Sequence, residues 1–136
     1  MVQLPTGSKV KVRDLIFQVS NLSNTNGTLT TPNSDIQLYW LGREASIVSF
    51  TGSLSAALTT GTLTFKPVID GSVGPVLAEL HTNQQVKFAP FDANEDQKII
   101  RAGQSVGLRY FSSDTVNPTT TDIVCIVEVL ETGIEY

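Results

Sequence analysis

Hydrophobic and polar positions alternate most regularly towards the C-terminal end of the chain, in the segment TTTDIVCIVEVLE at residues 119–131. Side chains of a strand point to opposite faces in turn. Ile123, Cys125, Val127 and Val129 therefore share one face, and Asp122, Val124, Ile126, Glu128 and Leu130 the other. The first set is wholly apolar and predicts a face buried in a core. The second mixes three apolar residues with carboxylates, where a water-facing side would alternate cleanly. Left bare, those three would form an unusual patch on a soluble monomer. A neighbouring subunit is therefore expected over Val124, Ile126 and Leu130, with Glu128 nearer the rim.

The same periodicity runs through the rest of the chain. Lys9-Val10-Lys11-Val12-Arg13 alternates charge with valine and leads into Leu15–Val19, predicting a first strand with a basic edge. Residues 21–34 (NLSNTNGTLTTPNS) read as a long loop or extended surface arm. Short strands follow at residues 36–41 (IQLYWL) and 45–51 (ASIVSFT), and residues 53–60 form a connection with room for one helical turn. In residues 61–70 (GTLTFKPVID), Leu63, Phe65 and Ile69 alternate against Thr62, Thr64 and Lys66. Pro67, which cannot donate to a ladder, places this strand at an edge or at a bulge. Asp70-Gly71 signals a turn, with residues 76–82 (VLAELHT) returning as the partner strand. Residues 86–89 and 106–111 add strands, and the closing strand completes roughly eight, with no convincing amphipathic helix. The expected fold is all-β, an antiparallel β-sandwich or jelly roll. Residues 1–35 supply an N-terminal strand and extended arm, and residues 36–136 the sandwich, within a single domain overall.

Composition narrows the function classes. The chain has 136 residues, which suits one domain with its own core. Its formal charge of −4 argues against general attraction to nucleic acid or an anionic membrane. No apolar run has the length of a signal peptide or a bilayer span, so folding in a cytoplasm is expected. The sequons at Asn21 and Asn26 then read as turn chemistry. Cys125 is the one cysteine, which excludes an intrachain disulfide. Placed among strand valines with no cation beside it, it reads as a small buried hydrophobe rather than a reactive thiol.

Candidate chemistry is sparse. His81 is the only histidine, too few for the metal sites of jelly-roll enzymes, and no nucleophile elbow accompanies it. Asp92-Ala93-Asn94-Glu95-Asp96 opens like a calcium loop, but Gln97 stands where glycine is required and Gly103 where the last acidic ligand belongs. A solvated acidic loop is the expectation. No phosphate cradle or zinc spacing occurs, so no catalytic residue, metal, cofactor or small-molecule substrate is expected. Tyr39-Trp40 and Tyr110-Phe111 are adjacent aromatic pairs. Either they line a sugar-binding groove, or one ring of each is in the core and its neighbour, such as Trp40, at an interface.

From Gly42 onward the order of blocks resembles a jelly-roll family of tailed-phage virion proteins. The blocks are Ala45–Val48 after Gly42-Arg43, Leu58–Phe65, Asp70-Gly71, Ala102–Leu108, Thr120–Asp122 and Val127–Glu128. Gln104 departs from the A-G-D that related sequences often carry in the fourth block. The resemblance covers about two-thirds of the chain. It implies a capsid decoration (cement) protein, a head-fibre domain or a tail-associated jelly roll, commonly a homotrimer. The chain's brevity, without shaft repeats or a coiled coil, points to the first. The implied partners are further copies of the chain and a major capsid protein, and the implied place is the capsid exterior of a virion made in a bacterial cytoplasm. Lys9, Lys11 and Arg13 are the candidate capsid contact, unless they form a basic edge that blocks strand pairing. The rival readings are a carbohydrate- or receptor-binding fibre module and a tail or baseplate subunit.

Overall fold

The structure is a computed structural model, and it describes residues 11–20, 27–29, 39–91, 99–113, 117 and 121–131. Among these residues there are eleven strands and no helix. They are β1 (Lys11–Val19), β2 (Gly27–Thr28), β3 (Tyr39–Trp40), β4 (Ala45–Leu54), β5 (Leu63–Ile69), β6 (Ser72–Val73), β7 (Ala78–Leu80), β8 (Val86–Pro90), β9 (Ile99–Ile100), β10 (Ser105–Ser112) and β11 (Ile123–Glu131). All pairing is antiparallel.

The first sheet runs β1-β11-β4-β8, with β9 also on β4. In the second, β2 and β3 both pair with β10, β10 with β5, and β5 with β6 and β7. The first strand thus lies beside the last, and the second and third beside the penultimate. This nesting of hairpin within hairpin defines a jelly roll. The described part of the N-terminal region belongs to it: β1 pairs along its whole length with β11, and Leu29 is fully buried.

The core lies between the two sheets. Leu15 and Phe17 of β1, Ile47 and Phe50 of β4, and Ile123, Cys125, Val127 and Val129 of β11 meet Leu63 and Phe65 of β5 and Leu108 and Tyr110 of β10. The Phe50 and Phe65 rings join the sheets with centroids 5.0 Å apart. The inward set of β11 is the one its alternation predicts.

Local chemistry explains two irregularities in β5. Asp70 and Gly71 have φ of 52° and 87°, the positive values that a two-residue hairpin turn requires, and they join β5 to β6. The strand that returns directly from this turn is β6, and within residues 76–82 β7 also pairs with β5, over Leu63–Phe65. Pro67 pairs with Leu108 of β10, so β5 is an interior strand rather than an edge. On its other side the ladder breaks between β7, which ends opposite Phe65, and β6, which starts opposite Val68. Phe65 O accepts from Leu77 N and Pro67 O from Gly74 N, so the missing N–H of Pro67 faces the break and costs no ladder bond.

β4 holds the one register shift between long strands. Glu128 pairs with Ser49 and Val129 with Ile47, so Val48 is an extra residue. A β-bulge of this kind reverses the alternation, and both Ile47 and Phe50 reach the core although three positions apart. No helical turn forms in residues 53–60; β4 continues to Leu54 instead.

Candidate interaction surfaces

The outer face of the first sheet is built from rows that the strand register fixes. Ile16 lies opposite Ile126, Ile126 opposite Thr51, and Thr51 opposite Phe88. The adjacent row on one side is Gln18, Val124, Ser53 and Val86. On the other side comes Asp14, Glu128, Ser49 and Pro90, and beyond it Val12 and Leu130. Phe88 is 64% exposed, Val86 61%, Val12 59% and Val124 44%, so these are surface side chains rather than a second core. Ile126 and Leu130 are half-buried. β1, β11 and β8 thus bring an apolar surface together around two carboxylates.

Asp14 and Glu128 stand directly opposite each other across β1 and β11. Among the described residues neither forms an ion pair. Like charges facing across a ladder destabilise it, so this sheet carries an uncompensated acidic pair amid branched side chains.

The outer face of the second sheet has the opposite sign. Lys66 of β5 faces Arg109 of β10 across the ladder. The Lys66 ammonium lies 4.9 Å and the Arg109 guanidinium 5.3 Å from the centroid of the Phe111 ring, which both hold by cation–π attraction. Arg109 Nε is shielded from solvent without a hydrogen-bond partner. Among the described residues no carboxylate pairs with either cation. Gly107 and Val68 flank the pair on one side and Phe111 and Thr64 on the other.

The remaining sequence candidates are placed individually. Arg13 is on the core-facing side of β1, with its guanidinium 3.4 Å from Glu131 Oε1 and 5.7 Å from the Tyr39 ring. Lys11 stands opposite Glu131 and Trp40 opposite Ser105. Lys9 and the acidic loop at residues 92–96 lie outside the described residues. Of the aromatic pairs, Tyr110 is buried in the core and Phe111 is outside it, which removes Tyr110 as a sugar platform. Tyr39 packs edge-on against Phe17, with centroids 5.4 Å apart.

His81 is exposed, 3.4 Å from Glu79 Oε2 and 3.4 Å from the Thr62 hydroxyl. Burial pushes the Cys125 thiol well above its ordinary value, which suits a core hydrophobe. No group of three or more His, Cys, Asp or Glu side chains able to hold a metal occurs among the described residues. A groove of about 540 Å³ beside the β5–β6 turn is lined by Ile69, Val73, Pro75, Ile99, Arg101 and Gln104. Its one charged group among the described residues, Arg101, is 3.6 Å from Glu44.

Sequence reasoning found Val124, Ile126 and Leu130 on one face, but not Ile16 or Phe88 beside them, nor Lys66 with Arg109. Alternation within β10 places Arg109 and Phe111 together. Only the β5–β10 register brings Lys66 opposite.

No family model matches the sequence, and no curated protein matches it. Among solved structures the chain is similar to the capsid of Ralstonia phage GP4, with 15% identity, a TM-score of 0.44, and coverage of 98% of this chain and 91% of that one. It is similar to Desmodium yellow mottle tymovirus at 11% identity and a TM-score of 0.38, covering 100% of this chain and 88% of that one. It is also similar to the carbohydrate-binding module CBM36 in complex with calcium and xylotriose, at 15% identity and a TM-score of 0.36, covering 84% and 97%.

Proposed function

We propose that this chain is a non-enzymatic capsid decoration (cement) protein of a tailed phage, which binds the assembled capsid as a homotrimer and stabilises it. The observation that carries the reading is the outer face of the first sheet, where Ile16, Val124, Ile126, Leu130 and Phe88 gather on a surface that a partner would cover. The jelly-roll topology and the ordered blocks from Gly42 to Glu128 support it. The action is linkage: a protein that binds the assembled lattice better than its dissociated subunits shifts the balance towards assembly. Three linked copies strengthen that grip through effective concentration. Lys9, Lys11 and Arg13 remain the proposed capsid contact and Trp40 a further interface residue, with the capsid exterior as the location.

The deciding experiment adds purified protein to undecorated capsids of the phage that encodes it. Cryo-microscopy should show density on the outer shell at stoichiometric occupancy, and the shell should resist a higher temperature. Density confined to the tail, or none, would remove the proposal. Light scattering of the free protein counts the copies, with three expected.

A further inference from the structure

We infer that the two outer faces of the sandwich are complementary halves of one contact between copies of this chain, the first sheet of one copy meeting the second sheet of the next. The inference rests on the reading above that the outer face of the first sheet meets another copy, and it assigns the surface that receives it.

Each face carries one like-charged pair set directly across a ladder, and the two pairs have opposite sign: Asp14 with Glu128, and Lys66 with Arg109. Alone, each pair works against its own sheet. Brought together, each supplies the counter-charge the other lacks. The contrast with other ion pairs is sharp, since Arg13 and Arg101 already have carboxylates within the chain at 3.4 and 3.6 Å.

The apolar surroundings match as well. The carboxylates lie between a row holding Val12 and Leu130 and a row holding Ile16 and Ile126. The cations lie between Phe111 on one side and Val68, with the side-chain-free Gly107, on the other. A planar guanidinium donates to a carboxylate at two points, and among the described residues Arg109 Nε has no hydrogen-bond partner. Glu79, opposite Thr64 on the same face, bounds the positive patch and disfavours a long polyanion there. A pairing of the first-sheet face with itself would set carboxylates against carboxylates.

The contact is head-to-tail, with each copy using a different face towards each neighbour. Such contacts close into a ring when the turn between copies divides a full circle, and otherwise run on.

Charge reversal tests the assignment. Lys66→Glu with Arg109→Glu makes both faces acidic, and Asp14→Lys with Glu128→Lys makes both basic. Each variant alone should lose self-association by at least about tenfold in dissociation constant, because like charges then meet across the contact. Mixing the two should restore association in pairs, since an acidic face of one variant then finds a basic face of the other, whereas a closed ring of three always keeps one like-charged contact. Thermal unfolding of each variant verifies the fold, and the single changes Lys66→Glu and Asp14→Lys carry the test if a double change does not fold. A monomeric wild-type chain, self-association unaltered by either reversal, or mixtures that stay dissociated would overturn the inference. Capsid decoration is scored separately. Decoration without this contact leaves the proposed function standing, and the contact without decoration leaves the inference standing.

Discussion

The hydroxyl of Tyr39 sits against the backbone of Ile16, accepting from its N–H and donating to its C=O, both at 3.1 Å. Among the described residues β1 pairs only with β11, so these two groups belong to its free edge. An unpaired edge is a template for another chain, and a side chain that occupies its hydrogen-bonding groups blunts it. Tyr39→Phe keeps the edge-on contact with Phe17 but removes the cap. We expect a loss of about 1 kcal/mol in urea unfolding, near the value of a single hydrogen bond. Faster light-scattering growth on mild heating should accompany it. A variant equal to wild type in both would show that water serves the edge as well.

Ile126 lies between Ile16 and Thr51 on the outer face, half-buried within its own sheet. Ile126→Lys places a charge in the centre of that surface. Stability of the single chain should change by less than about 1 kcal/mol, as at other surface positions. Association should be lost, read as a fall to monomer mass in light scattering. If the mass is retained, the contact between copies does not cross this row.

These two residues mark what the sequence could and could not reveal. Alternation alone sorted β11 into its two faces, because no bulge on that strand interrupts the period. The same logic applied to β4 puts Val48 with Phe50, whereas the bulge brings Ile47 and Phe50 inward together. Pro67 announced a defect in pairing, but its side depended on where β6 and β7 stop. Ile16 with Ile126, Asp14 with Glu128 and Lys66 with Arg109 are relations between strands distant in sequence, fixed by register rather than by any local pattern. Tyr39 capping β1 is of the same kind, a contact between the two sheets. Lys9 and the acidic loop at residues 92–96 lie outside the described residues.

Cys125 gives a pH-dependent prediction. Its thiol is fully buried, and burial raises it well above 9.0. In the unfolded chain the thiol loses its proton near that value while the folded chain keeps it, so above pH 9.0 the native state binds more protons. Stability is therefore undiminished below that pH and falls as pH rises beyond it, by at most about 1.4 kcal/mol per pH unit for one proton. Cys125→Val should remove this contribution. Urea unfolding of both proteins between about pH 8 and about pH 10 should show the wild type declining more steeply. Every other group is common to both proteins, so parallel curves would contradict the buried thiol. Neither protein should change its oligomeric state.

Gly71 isolates a backbone effect from packing. Its φ of 87° belongs to the region that L side chains rarely adopt, and a Cβ there would meet nothing within 4 Å. Gly71→Ala should therefore destabilise through conformation alone, by about 1 kcal/mol, and weaken the turn that aligns β5 with β6. Gly42 is the matched control. It too has open space around the position of a Cβ, but without a positive φ, so Gly42→Ala should be neutral or slightly stabilising by narrowing the unfolded ensemble. Thermal unfolding of the two variants separates the cases. Equal melting temperatures would mean that the Asp70-Gly71 turn does not hold its left-handed backbone in solution, and the break opposite Pro67 would then need another explanation.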